Sequence, residues 1–132
     1  MAASITASDL VAEARAKIRE VAPGAFHAAV ADAVVIDVRE PSEFETGHIP
    51  GAINIPRGVL EFQIHAHPAM ACTTSEALAV ADRELVLYCL TGGRSALAAD
   101  SLQALGFTRV RSLAGGLTAW RNADLPLTTE SA

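Results

Sequence analysis

Leu85-Val86-Leu87-Tyr88-Cys89-Leu90-Thr91-Gly92-Gly93-Arg94-Ser95 is the most informative stretch of this 132-residue chain. Its four leading apolar residues read as a buried strand. They run directly into a cysteine, two glycines, an arginine and a helix predicted over Ser95–Leu105, with Gly106 past its end. In open α/β sheets, ligands bind beyond the carboxyl ends of the strands, which is where this reading puts Cys89. Gly92 and Gly93 let the backbone curl so that successive N–H groups turn inward as an anion nest. The helix start aims its positive end at the same point, and Arg94 adds a permanent charge. Each of these favours a thiolate over a thiol. The opposing reading is a buried cysteine that ends a core strand beside an ordinary glycine turn. Cysteine, glycines, arginine and helix start falling within seven residues weigh against that coincidence.

Working outward, strand and helix patterns alternate along the whole chain. Thr6–Ala16 reads as a helix with Thr6 and Asp9 as its capping pair, and Leu10, Val11, Ala14 and Ile18 fall near one face. Ile18–Val21 alternates like a short strand, and Pro23 opens a helix to about Ala31. Val34–Val38 is a β-branched strand and Pro41–Thr46 a short helix closed by Gly47. Ala52–Ile55 is a second short strand. Arg57–Ile64 reads as a helical turn, His65–Ser75 as a loop and Glu76–Ala81 as a short helix. Arg109–Val110–Arg111–Ser112–Leu113 is a further strand. Gly115-Gly116 turns the chain into a last helix over Leu117–Asn122, and Asp124–Ala132 reads as a mobile tail. This order predicts a single α/β domain spanning residues 1–132, with a parallel sheet covered by helices on both faces.

Composition narrows the function classes. Apolar residues make up 51% and charged residues 19%, enough to bury a core. The formal charge is −5, and the basic residues, all but one of them Arg, are scattered. No basic block supports a nucleic-acid or anionic-membrane partner. The apolar runs fall short of the ~18–20 residues a membrane span needs, and Met1–Leu10 lacks a secretory pattern. A cytoplasmic protein is the expectation. Two cysteines, Cys72 and Cys89, are too few for a disulfide scaffold. His65, His67 and Cys72 do not match a zinc-site spacing, so a solvated loop and an inert Cys72 are expected.

Together these segments resemble the rhodanese-like sulfurtransferases. Cys89-Leu90-Thr91-Gly92-Gly93-Arg94-Ser95 is similar to the C-x-x-G-x-R-S loop of that family. Asp37-Val38-Arg39-Glu40 with Glu43-Phe44, and Gly47-His48-Ile49-Pro50-Gly51-Ala52-Ile53-Asn54-Ile55-Pro56, resemble its N-terminal signature. Gly106-Phe107, Val110, Leu113, Gly115-Gly116 and Trp120 resemble its C-terminal signature. These blocks span about residues 17–126. The resemblance implies a rhodanese-like α/β fold with a parallel sheet of about five strands and helices on both faces. It implies that Cys89 takes a sulfane sulfur from thiosulfate or a low-molecular persulfide, becomes a persulfide, and passes the sulfur to a thiol, a protein acceptor or cyanide. No metal or organic cofactor is implied.

Within that reading, Cys89 is the catalytic residue, and Leu90, Thr91, Gly92, Gly93, Arg94 and Ser95 are the substrate-binding residues. Arg94 either balances charge and binds an anionic donor or bonds loop carbonyls. Thr91 and Ser95 offer hydroxyls, although Ser95 can also simply cap the helix. Leu90 adds no positive charge, which counts against a strong preference for small anions. Arg57 can add charge near the cleft or pair with Glu61 at i,i+4. Asp37 and Arg39 are read as an ion pair that fixes a turn, His48 as a hydrogen-bonded turn residue, and Trp120 as packing. Two other functions compete. Cysteine phosphatases and arsenate reductases of similar architecture use C-x5-R, whereas four residues separate Cys89 from Arg94; the shorter loop suits one sulfur atom better than a phosphoryl group. A non-catalytic binding or persulfide-relay module is the third class.

Overall fold

The computed structural model describes residues 5–29, 33–64 and 84–130. Its elements are α1 (Ala7–Arg15), β1 (Arg19–Val21), α2 (Pro23–Ala29), β2 (Val34–Asp37), α3 (Pro41–Glu45) and β3 (Ile53–Asn54). A 3-10 turn (Arg57–Val59) leads into α4 (Leu60–Gln63), followed by β4 (Glu84–Tyr88), α5 (Gly93–Ala104), β5 (Arg109–Leu113) and α6 (Gly116–Asn122). The five strands form one sheet in the order β1-β5-β4-β2-β3, and every pairing is parallel.

The central strands β2 and β4 are aliphatic and buried on both faces, as a parallel sheet between two helix layers requires. Alternate residues feed opposite layers. Ile36, Leu85, Leu87, Cys89 and Val110 pack with Leu60 of α4 and Ala98, Ala99 and Leu102 of α5. Val35, Val86, Tyr88 and Leu113 pack on the other face with Phe26 of α2 and Leu117 and Trp120 of α6. The register Val34↔Leu85 through Asp37↔Tyr88 brings the carboxyl ends of β2 and β4 level, so the segments that follow them, including the cysteine loop, meet at one edge.

Several expectations shift at element ends. The helix after the cysteine begins at Gly93, two residues before the predicted start, because Gly92 at φ 104 already turns the chain into it. Thr6 and Asp9 form the capping box of α1, with Asp9 N–H donating to Thr6 Oγ1 at 3.2 Å and Thr6 N–H to Asp9 Oδ2 at 2.9 Å. Of the face expected for that helix, Ala14 is buried but Leu10 is 48% exposed, since α1 leans on α5 through Val11 and Ala14.

The largest correction concerns the C-terminal segment, expected to be a loose tail. Asp124 takes a positive φ of 58 and turns the chain back. Trp120 Nε1 donates to Pro126 O at 2.7 Å. Thr128 and His48 exchange both backbone hydrogen bonds, at 2.9 and 2.8 Å. Residues through Glu130 are therefore tied down. The loop predicted at His65–Ser75, the helix predicted at Glu76–Ala81, and His65, His67 and Cys72 lie outside the described residues.

Candidate active site

The sheet delivers Cys89 at the end of β4, and the loop that follows is shaped from behind. Leu117 N–H donates to Cys89 O at 2.9 Å, and Thr118 N–H donates to Leu90 O at 3.0 Å. The first turn of α6 thus holds the loop carbonyls on its own side, which leaves the peptide N–H groups free to turn the other way. That contact requires glycine at the turn into α6. Gly116 has φ +60, and a Cβ there would lie 2.6 Å from Cys89 O and 2.7 Å from both the carbonyl carbon and oxygen of Leu90. Gly115 also has positive φ, at +71.

On the inner side, Gly92 N–H donates to Cys89 Sγ at 3.1 Å, and Ser95 Oγ sits 3.6 Å from the sulfur. Ser95 Oγ also lies 2.9 Å from Ser112 Oγ on β5 and donates to Gly92 O at 3.3 Å. The serines are fully buried and the cysteine is 1% exposed, so a chain of hydroxyls runs through the core to the sulfur. Donors aimed at one point in a water-poor site stabilise negative charge there without reorganisation. Leu90 and Thr91 are on the exposed rim of the loop.

Arg94 does not bond loop carbonyls. Its two terminal nitrogens clasp Glu43 of α3, Nη1 to Oε1 at 2.8 Å and Nη2 to Oε2 at 3.1 Å. This bidentate pair, joined by the Glu40 N–H, holds the Glu43 carboxyl down to about 2 against the opposing effect of burial. The same hydrogen bonds, followed by the charges of Glu43 and Cys89, raise Arg94 above its ordinary value. Arg94 therefore approaches the sulfur as one half of a pair. Arg57 is not brought to the loop. Its guanidinium is bound by Glu61 at 2.9 and 3.0 Å and by Ser101 at 3.0 Å, about two helical turns along α5 from Ser95. Of the two readings of Arg57, the structure shows the i,i+4 pair with Glu61, so Arg57 is not placed among the substrate-binding residues.

The segment beyond β2 is a structural support. Asp37 is fully buried and Arg39 is 2% exposed; Arg39 donates to both Asp37 oxygens and, at 2.7 Å, to Gly47 O. Burial opposes the Arg39 charge, but Asp37 outweighs it and holds the guanidinium above its ordinary value. Burial, ahead of the nearby Asp37 carboxylate, pushes the Tyr88 phenol far upward, so it stays neutral and accepts a hydrogen bond from Ile49 N–H. His48 stacks on Phe44 with centroids 3.6 Å apart, and its ring nitrogens face Phe44 O and Glu130 O, each at 2.9 Å.

Sequence reasoning missed Glu43 as the partner of Arg94, Ser112 behind Ser95, Gly116 beneath the loop, and Arg15. An Arg15 terminal nitrogen lies 3.2 Å from where a Cβ on Gly92 would sit. Only the consecutive glycines at the start of a helix offered a signal, and it was read as a turn.

A family model described as "Rhodanese-like domain" matches residues 22–123. A protein named sulfurtransferase from Allochromatium vinosum is 32% identical over 96 residues, covering 73% of this chain and 78% of that protein. Among solved structures, the human single-domain sulfurtransferase superposes with a TM-score of 0.64 at 32% identity, covering 78% of this chain and 95% of that one. A protein of unknown function from Rhodopseudomonas palustris, described as a possible tyrosine phosphatase, superposes with a TM-score of 0.77 at 34% identity, covering 97% of this chain and 99% of that one.

Proposed function

The chain belongs to the rhodanese-like domain family, and from that premise we propose that it is a sulfurtransferase in which Cys89 carries the sulfur as a persulfide. The observation that carries this reading is the setting of Cys89 Sγ, which receives the Gly92 N–H at 3.1 Å and faces the Ser95 hydroxyl.

In the first half-reaction, the Cys89 thiolate attacks the outer sulfur of thiosulfate. The S–S bond of the donor breaks, sulfite leaves with the bonding pair, and Cys89 holds the transferred sulfur as Cys–S–S⁻. In the second, an acceptor thiolate or cyanide attacks that outer sulfur. The acceptor departs as a persulfide or thiocyanate, and the Cys89 thiolate is regenerated. Charge stays on sulfur throughout, so donors fixed around one atom serve both steps. A low-molecular persulfide serves equally as donor. The burial of the sulfur favours slender donors and acceptors over bulky ones.

A loop with four residues between nucleophile and arginine, whose arginine is clasped by Glu43, is poorly suited to hold a phosphoryl group, so aryl phosphate hydrolysis is not expected. Incubation with thiosulfate and cyanide should yield thiocyanate, and intact-mass analysis after thiosulfate alone should show a gain of one sulfur atom. Cys89→Ser should lose both. Undiminished thiocyanate formation by that variant, or phosphate release without sulfur loading by the wild type, would overturn the proposal.

A further inference from the structure

Ser112 carries a hydroxyl that touches neither the sulfur nor solvent. It stands on β5, an inner strand between β1 and β4, in register with Leu87, and is fully buried. Its Oγ lies 2.9 Å from Ser95 Oγ, and this is its one side-chain hydrogen bond among the described residues.

A serine hydroxyl has one hydrogen to give and two lone pairs to receive. Ser95 Oγ has three neighbours: Cys89 Sγ at 3.6 Å, Gly92 O at 3.3 Å and Ser112 Oγ at 2.9 Å. A thiolate and a carbonyl only accept, so the direction of the Ser95–Ser112 bond decides what Ser95 can offer the sulfur. If Ser95 donated to Ser112, the Ser112 hydrogen would be buried without an acceptor, an arrangement that folded proteins avoid. The opposite direction satisfies both groups. Ser112 donates to Ser95, and the Ser95 hydrogen is free for Gly92 O or for Sγ. Gly92 O already accepts the Ala96 N–H at 3.0 Å, so it loses little when that hydrogen turns away. A charged sulfur draws the hydrogen more strongly than a neutral carbonyl does.

We propose that Ser112 is a positioning residue for the half-reaction that releases sulfur: by donating to Ser95 it sets the direction of a hydroxyl relay, Ser112 to Ser95 to Cys89 Sγ, that stabilises the departing thiolate. This rests on the sulfurtransferase reading of Cys89. In the persulfide the charge sits on the outer sulfur and Sγ is neutral. When cyanide or an acceptor thiolate attacks the outer sulfur, the S–S bond breaks, its electron pair stays on Sγ, and charge appears there. The Ser95 hydrogen turns from Gly92 O to Sγ as that charge develops, and no proton is transferred. The relay is already in place in a core closed to water, so it stabilises the new charge without reorganising its surroundings.

The test follows the two half-reactions separately. The wild type, Ser112→Ala, Ser112→Thr, Ser112→Val, Ser95→Ala and the double variant Ser95→Ala with Ser112→Ala are loaded from thiosulfate, and loading is read by intact mass. Each loaded protein is then mixed with cyanide, and the single-turnover appearance of thiocyanate gives the release rate. Ser112→Ala should slow release about fivefold, the effect of one hydrogen bond. Loading should change less, because a better stabilised thiolate is both more populated and less nucleophilic. Threonine and valine have nearly the same shape, so Ser112→Thr should release about fivefold faster than Ser112→Val; a purely steric role for Ser112 would make them equal. Because Ser112 acts through Ser95, Ser112→Ala should add nothing once Ser95 is alanine. Equal release by Ser112→Thr and Ser112→Val, or independent effects that multiply in the double variant, overturns the relay. A wild type that does not load overturns the sulfurtransferase reading and the relay with it. A wild type that loads, with Ser112→Ala releasing sulfur just as fast, overturns the relay alone.

Discussion

Gly116→Ala should damage the protein far more than its size suggests. The added methyl would lie 2.6 Å from Cys89 O and 2.7 Å from two atoms of the Leu90 carbonyl, all of them backbone. No rotamer change can relieve such contacts. Placing an L-residue at φ +60 costs about 1–2 kcal/mol, and relieving the overlap by moving backbone adds about 1–3 kcal/mol. The expected loss of stability is therefore about 2–5 kcal/mol, measured by urea unfolding. The same movement must loosen the hydrogen bonds from Leu117 N–H and Thr118 N–H to the loop carbonyls. A displacement of about 1 Å at a reacting group can cost about 100-fold in rate, so thiocyanate formation should fall by that order in the folded fraction. Gly58→Ala is the control. Nothing lies within 4 Å of its Cβ position, and its φ is outside the positive region, so it should be neutral or stabilising by about 0.4–1 kcal/mol. A Gly116→Ala protein within about 0.5 kcal/mol of the wild type, with its activity intact, would refute the claim that α6 shapes the loop.

Two further substitutions examine the charges. Asp37→Ala leaves the Arg39 guanidinium buried at 2% exposure without its carboxylate and should cost about 3–5 kcal/mol; a loss below about 1 kcal/mol in urea unfolding would contradict that role. Glu43→Gln removes the partner of Arg94, and because both side chains are more than a third exposed, solvent screening limits the stability loss to roughly 0.5–1 kcal/mol. Since Glu43 is held down to about 2 when folded, its contribution is complete above the ordinary carboxyl range near ~4.3 and fades as pH falls toward 2. The difference in urea midpoint between wild type and Glu43→Gln should therefore be present at pH 6 and shrink below pH 4; a gap that stays constant across that range would show that the ion pair is not its source.

The extent to which the fold could be read from the sequence follows from how local each determinant is. Val34–Ile36 and Leu85–Leu87 are continuous aliphatic runs buried on both faces, so sequence alone identifies them as inner strands. Cys89, Gly92 and Ser95 are equally legible, because one loop and one helix start contain all three. The capping pair Thr6 and Asp9 is legible for the same reason. Glu43 and Arg94 are 51 positions apart, and only the common level of β2 and β4 brings them together. Ser112 looks like any strand serine until the register Leu87↔Ser112 sets it beside the end of β4. The Arg57–Glu61 pair is legible because its partners stand four residues apart, whereas the partner of Arg94 comes from α3 and left no local signal. The segment after Asp124 misled because its composition is that of a tail, while its order comes from backbone bonding to His48 and from one indole N–H.

The distribution of partners around the loop bears on which chemistry it suits. A phosphoryl group in transfer spreads charge over three equatorial oxygens and requires cationic groups aimed at them. Here the loop arginine is clasped by Glu43 while still interacting with Cys89, and the nearest hydrogen-bonding groups to Sγ are the Gly92 N–H and the Ser95 hydroxyl. Such donors suit a single charge on a polarisable atom that stays in place while its bonding partner changes. The outward carbonyls explain how the arrangement persists before a substrate binds. Their bonds to Leu117 and Thr118 N–H fix the loop from behind, so the inner face need not be held by substrate. If the loop carbonyls were freed, the Gly92 N–H would lose its aim at the sulfur even with Cys89, Gly92 and Ser95 all present. The residues around the sulfur are thus adjacent in sequence, but the residue that keeps them in register is Gly116, at the far end of the next strand.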